Sequence, residues 1–274
     1  RKDLYQVVER MTVHGMRTCI VSNGTLLDEE KAKRLVEAGM RTVTISVDGL
    51  KNEHEAVRGV DTYERTLAAL GNARRAGMDW VEAITCVRPA NLGDLEAIEQ
   101  AVCDAGANLW RLITIDKMGR AGHEQDEASA KAEMDAELWL DPEQANYLLD
   151  FIAARREAGA PVRFSCGGFL GVDREFTVRP ETGQCYAGIA IASILHDGQV
   201  SACPSLPRSW VQGSALETRF STIWRERFQR YRDISWRKSG RCLDCSYFDI
   251  CAGGGLHERA VQPDDFCWLD RQGV

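Results

Sequence analysis

A chain of 274 residues that is 44% hydrophobic and 27% charged can bury one large core and a smaller second one. Its net charge of −7 and the lack of a dense Lys/Arg run exclude a phosphate-tracking surface, so no nucleic acid partner is expected. No apolar stretch reaches the roughly 18 residues that cross a bilayer, so no membrane partner is expected and the expected location is cytoplasmic, where thiols stay reduced.

The first residue is Arg1 rather than Met, and the chain opens on a helical pattern in which Leu4, Val7, Val8 and Met11 share one face; a preceding segment is expected. From there to about residue 165, β-rich runs alternate with helical periodicity. The runs are Thr18 to Ser22, Val43 to Val47, Trp80 to Val87, Leu109 to Ile115 and Val162 to Ser165. Helices are predicted between them on the spacing of Ala32, Leu35 and Val36, of Tyr63, Leu67 and Leu70, of Leu95, Ile98 and Val102, and of Ala145, Leu148, Leu149 and Ile152. Four helices end in Ala-Gly, at 38–39, 76–77, 105–106 and 158–159, as expected where Gly takes the left-handed position and the chain turns into a strand. The repetition predicts an α/β fold with a parallel sheet, either open and doubly wound or closed as a barrel; periodicity does not separate the two.

Such folds carry their chemistry on the loops that follow the strands. The first of these is Ser22-Asn23-Gly24-Thr25, with Asp28 as the cap of the next helix. The second is Ser46-Val47-Asp48-Gly49, followed by Lys51, His54 and Arg58, and a third is Lys117-Met118-Gly119-Arg120-Ala121. Taken singly, each also reads as a polar turn with a capping residue. Residues 122–140, rich in Glu, Asp and Ala, read as a solvated insert or as a loop flanking a site.

Seven of the ten cysteines fall in the last 109 residues, and Cys242, Cys245, Cys251 and Cys267 are spaced C-x2-C-x5-C-x15-C. That spacing brings four thiolates within reach of one metal centre, of iron-sulfur or of tetrahedral zinc type. Disulfides are not expected in a reduced compartment. Cys19 and Cys86 in apolar strands and Cys103 in a helix read as small core residues.

The run V-S-N-G-T-L-L-D, a helix ending in E-A-G, then T-I-S-V-D-G with H-x3-R following, resembles the middle of the barrel of radical S-adenosylmethionine (SAM) enzymes. The tail resembles the SPASM domain that many peptide-modifying members carry. Cys185, Gly198 within His196-Asp197-Gly198, Cys203 and the Cys242 group match its pattern, and Ser221 to Trp224 is similar to its short intervening helix. Asp197-Gly198 also reads directly as a hairpin turn that sets Cys203 beyond the returning strand. One position departs: where the family has a cysteine after three intervening residues beyond Cys251 (C-x3-C), this chain has Gly255.

The resemblance implies a partial (β/α)6 TIM-like radical SAM barrel over residues 1–165 and a small cysteine-rich SPASM domain over residues 166–274. It implies SAM and one or two auxiliary [4Fe-4S] clusters as cofactors, and a peptide or small protein as substrate. The predicted activity is that of an oxidoreductase or maturase acting through a 5′-deoxyadenosyl radical. A reductant such as flavodoxin or ferredoxin is the implied partner. Cys242, Cys245, Cys251 and Cys267 would complete the outer cluster, while Cys185 and Cys203, with Cys166 as a third thiolate, would hold an inner one whose open iron takes His257, water or substrate. Ser46 and Arg58 would make polar contacts with SAM, Asn23 would lie beside them, and Leu112 and Ile113 would line the adenine side or simply be strand core. The family's C-x3-C-x2-C loop and Gly-Gly-Glu strand end are absent from this sequence and are expected upstream of Arg1. The alternatives are a noncatalytic iron-sulfur electron carrier or peptide-binding relative, and a zinc-stabilised α/β domain.

Overall fold

The computed structural model describes residues 2–116, 137–165, 167–261 and 267–272. They divide into two compact units. The first holds the residues up to Ile115 with 137–140 and 146–165; the second holds Asp116, residues 141–145 and the described residues from 167 onward.

The first unit is a parallel sheet of five strands in chain order: β1 (Cys19–Ser22), β2 (Thr42–Ser46), β3 (Trp80–Val87), β4 (Leu109–Thr114) and β5 (Val162–Phe164). Each strand adds to the same growing edge, with none of the order reversal that marks a doubly wound sheet, so the five form the arc of a TIM-like barrel. The helices between them are α1 (Leu4–Val13, ahead of β1), α2 (Glu29–Glu37), α3 (Lys51–Arg58), α4 (Tyr63–Arg75), α5 (Pro89–Leu92), α6 (Leu95–Asp104) and α7 (Pro142–Glu157).

The period of two along each strand sorts the faces. Val43, Ile45 and Val47, then Val81 and Ala83, then Trp110 and Leu112, then Val162 and Phe164, are all buried on the helix-covered face. Each fully buried aliphatic side chain among them contributes about 1.5–3 kcal/mol. Trp110 donates Nε1–H to Thr85 Oγ1 at 2.9 Å and meets Phe151 of α7 edge-on, so its one polar atom is satisfied inside the core.

The four Ala-Gly stops form one recurring cap. Gly39, Gly77, Gly106 and Gly159 all have positive φ, and the residue after each donates its N–H five residues back, closing a six-residue turn, as in Met40 to Leu35 at 2.9 Å and Ala107 to Val102 at 3.0 Å. The apolar residue after the glycine, Met40 or Met78, is buried and feeds directly into the next strand. At the opposite helix end, Asp28 Oδ1 accepts from the Lys31 N–H at 2.8 Å and caps α2.

The second unit has little regular structure. A three-stranded antiparallel sheet, β6 (Ser193–Ile194), β7 (Gln199–Ser201) and β8 (Gly213–Ser214), turns at Asp197-Gly198, where Gly198 has φ +83°. Its core gathers Val200, Ala202, Trp210, Ile223, Phe228 and Tyr231, with Cys185 and Cys203 packed against it. Ile223 comes from α8 (Phe220–Glu226), the short helix predicted around Ser221 to Trp224. Beyond it lie α9 (Gln229–Arg232), α10 (Phe248–Cys251), α11 (Leu256–Val261) and α12 (Trp268–Arg271). No helix among the described residues is long and apolar enough to cross a membrane.

Candidate functional site

In the second unit, four cysteines wall one pocket. Cys242 and Cys245 leave a 3-10 turn, Cys251 ends α10 and Cys267 precedes α12, and all four line a cavity closed by Gly168, Phe169, Tyr247 and Trp268. None of the four is in a disulfide. The lining offers sulfur and aromatic carbon, with no carboxylate, and that all-sulfur donor set suits a thiolate-ligated iron-sulfur cluster. The chain must turn sharply to bring the third cysteine round: Ala252 sits at φ +53° and Gly253 and Gly254 near +80°, folding back over the pocket. Burial pushes the Cys251 thiol up, against hydrogen bonds from backbone amides, among them that of Gly254. Arg259 donates from Nη2 to Cys242 Sγ.

The position of the family's missing cysteine is filled in another way. A Cβ built at Gly255 would meet Glu258 Oε2 at 2.4 Å, and the Gly255 N–H donates to that oxygen at 3.2 Å. The buried Glu258 carboxylate therefore occupies the space into which a side chain at 255 would project. Cys185 and Cys203 lie half-buried on the unit's core, while Cys166 lies outside the described residues.

His257 Nε2 lies 3.0 Å from Asp116 Oδ2, and ligand atoms of Asp116, His257 and Glu258 fall within 4.8 Å of one another. Burial pulls the imidazolium down, but the hydrogen bond and negative charge of Asp116 outweigh it and raise His257 above its ordinary value. The folded state thus holds the proton more tightly than the unfolded chain. The stabilisation is fully present below the unfolded value of about 6.5 and is lost as pH rises through the raised folded one. Melting curves between pH 5.5 and 8.5 should show the Asp116→Asn variant deficient at the acid end and level with the parent at the alkaline end; an equal deficit at both ends would remove the pair as its source.

In the first unit, the strand-end residues gather on and above the face opposite the helices. Ser46 is buried at the end of β2. Asp48, just beyond it and 3% exposed, accepts from Arg58 Nε at 2.5 Å and from the Cys86 N–H at 3.0 Å. The Asp48 N–H donates to His54 Nδ1 at 3.2 Å, which fits a neutral imidazole; burial lowers His54, with Asp48 opposing and Arg58 adding. Asn91 ties the loop down by donating to the Asp48 carbonyl at 2.8 Å and that of Cys86 at 2.9 Å. Asn23 is exposed, with Oδ1 accepting from Thr25.

The strand faces choose between the two readings of Leu112 and change the expectation for Cys19. Leu112 faces the helices, 0% exposed and paired in register with Thr85 and Phe164, so it is strand core; its neighbour Ile113 takes the opposite face because side chains alternate. Cys19 is exposed on that same open face, with Sγ 3.8 Å from Thr44 Oγ1, rather than in the core. The loop Lys117 to Ala121 and most of 122–140 lie outside the described residues. Sequence reasoning missed Asp48 as the organiser of its loop. It also missed Glu82 on the open face, which accepts from Thr44 at 2.7 Å, Arg111 at 2.6 Å and Arg163 at 3.0 Å beside a hollow of about 490 Å³. No local motif marks partners 38, 29 and 81 residues away.

Comparison with known proteins bears on both units. Residues 1–102 match the radical SAM superfamily, and residues 185–246 match the SPASM iron-sulfur cluster-binding domain. The chain thus matches a radical SAM model over its first part and a SPASM model over its later part. It is 28% identical to an AdoMet-dependent heme synthase of Nitratidesulfovibrio vulgaris over 95% of this chain and 71% of that protein. It is 27% identical to the mycofactocin maturase MftC of Mycolicibacterium smegmatis over 93% of this chain and 62% of that one. The crystal structure of Streptococcus suis SuiB shares the fold, with TM-score 0.67 and 15% identity over 96% of this chain. This chain spans 61% of the SuiB chain. SuiB has also been solved with S-adenosylmethionine and with its precursor peptide SuiA.

Proposed function

We propose that this chain is part of a SAM-dependent radical enzyme that modifies a peptide or protein, with an auxiliary [4Fe-4S] cluster in its second unit. The observation that carries the reading is the pocket walled by four cysteines outside any disulfide, two of them within the matched iron-sulfur domain and two just beyond it, in a chain whose first 102 residues match the radical SAM superfamily. Reductively cleaved SAM supplies a 5′-deoxyadenosyl radical that takes hydrogen from carbon. This chain's residues bind and orient. Asp48, buried and anchored by Asn91, holds Arg58 by its Nε, which leaves the planar fork directed by a fixed carboxylate and suited to the carboxylate of SAM. Ser46 offers a hydroxyl at the adjoining strand end, and Asn23 lies on the neighbouring loop. Cys242, Cys245, Cys251 and Cys267 would hold the cluster, with Cys185, Cys203 and Cys166 reserved for a second.

Support for a peptide comes from the maturase relative and from SuiB with its bound precursor peptide. A porphyrin substrate is the second reading, favoured by three relatives that are heme synthases, at 26–28% identity. The complete protein, purified without oxygen and reduced with dithionite, should yield 5′-deoxyadenosine and methionine from SAM. A Soret shift on titration with iron porphyrin would favour the second substrate class. SAM that binds but is never cleaved would instead favour a noncatalytic relative. Arg58→Lys should weaken SAM binding about tenfold by calorimetry, about 1.4 kcal/mol, since an ammonium cannot serve Asp48 and a ligand carboxylate with one planar fork. Unchanged affinity would take Arg58 out of the site.

A further inference from the structure

Arg237, at the end of the turn Ser235–Arg237, is fully buried at 0% exposure. Its Nη1 donates to the Ala252 carbonyl at 3.3 Å and its Nη2 to that of Tyr231 at 3.4 Å. The Trp236 ring centroid lies 5.4 Å from its Cζ, and its buried Nε has no hydrogen-bond partner. Among the described residues no carboxylate pairs with it. Burial pulls its proton affinity down, and the groups that oppose this are the thiols of Cys185 and Cys251.

A second guanidinium lies against the backbone of Arg237. Arg259, 5% exposed, donates from Nη2 to the Arg237 carbonyl at 3.1 Å and from Nε to the Gly253 carbonyl at 2.8 Å, and reaches Cys242 Sγ through the same Nη2. Two neighbouring cations repel, and a buried cation such as Arg237 is costly without an anion. Around Arg237, carbonyl dipoles and a ring face soften that cost without supplying opposite charge. The groups whose charge favours its protonated form are the sulfurs of Cys185 and Cys251, while Cys242 takes the Arg259 hydrogen bond. A cluster core held by four thiolates is anionic, and one-electron reduction adds a further negative charge.

We propose that Arg237 and Arg259 are the internal counter-ions of the tail's iron-sulfur cluster, balancing its thiolates and holding its reduction potential up by favouring the more negative reduced state. Arg259 acts by a charge-assisted hydrogen bond to a ligand sulfur, and Arg237 acts through field alone. Both are positioning residues. The inference rests on the reading that Cys242, Cys245, Cys251 and Cys267 hold iron.

The test uses the full chain, reconstituted without oxygen, with Arg237→Met, Arg237→Lys and Arg259→Lys. Three quantities are read: iron and sulfide per chain, the midpoint potential from an EPR-monitored titration with dithionite, and the melting temperature of metal-free protein. Arg237→Met should melt no lower than the parent when metal-free, because it removes an uncompensated buried charge. When loaded, it should either retain less iron through gel filtration or titrate at a more negative potential. Arg237→Lys should stay near the parent potential, and Arg259→Lys should shift it negatively. If Arg237→Met lowers melting equally with and without metal while iron content and potential stay unchanged, Arg237 is a packing residue and the proposal fails. If Arg237→Met does not fold at all, an unshifted potential in Arg259→Lys overturns it. Parent protein that takes up no iron would instead overturn the cluster reading itself.

Discussion

Anaerobically reconstituted Cys245→Ala protein should contain about four fewer iron atoms and four fewer sulfides per chain than the parent, with a matching loss of absorption near 400 nm. Cys245 shares its pocket with three other cysteines and an aromatic wall, and nothing else in that lining can take its place as a ligand. The loss should extend to folding. The unit's elements around this pocket are single turns such as α10 and α12, four residues each, far too short to persist alone. Metal-binding free energy is then folding free energy, and limited proteolysis should cut the Cys242 to Cys267 region in the variant faster than in the loaded parent. Cys19→Ala, on the open face of the sheet, should leave iron content unchanged. Undiminished iron in Cys245→Ala would show that the cluster, if any, sits elsewhere; zinc in place of iron in the parent would reassign the site.

The second large effect is expected from Glu175. This residue lies in the helix Val172–Val178 and is 1% exposed. Its carboxylate accepts from Arg179 Nε at 3.1 Å and Nη2 at 3.0 Å, from the Leu170 N–H at 2.9 Å and from the Gly183 N–H. Arg179 in turn donates to the Gly168 carbonyl at 2.8 Å, at the lip of the cysteine pocket. Glu175→Gln keeps the volume but leaves a buried guanidinium without its carboxylate, which costs about 3–5 kcal/mol. The melting temperature should fall by roughly 10 °C. Replacing both partners, Glu175→Leu with Arg179→Met, should cost less than the single change, since the buried guanidinium is then removed together with the carboxylate that faces it. A double variant worse than the single one would show that the pair's shape, not its charge balance, holds the loop.

How far the sequence could be read depended on how local each signal was. Strand and helix positions follow from periodicities of 2 and 3.6 and from Gly stops a few residues long, so the sheet's five strands could be placed from sequence within a residue or two. The hairpin at Asp197-Gly198 was equally local. Which face of a strand looks outward was harder: Leu112 and Ile113 are both apolar, and only the packing of Trp110 on Phe151 shows that the even-numbered residues of β4 face the helices. Charge pairing across the chain was not legible. Glu82 gives no sign in its own neighbourhood of Arg163, and Arg237 is one arginine among several between residues 219 and 241. The absent cysteine at Gly255 was visible, but that Glu258 fills its space follows only from the turn of α11.

The repeated Ala-Gly cap has a consequence for how such a protein diverges. With every helix-to-strand turn locked by a left-handed glycine and a six-residue return bond, length changes on that side would shift a strand by a residue and turn its apolar side chains to the wrong face. Among the described residues the opposite rim carries no such repeated return bond, so insertions there leave the lattice of strands untouched. Selection is therefore free to rewrite what the rim grips while the scaffold beneath it keeps time.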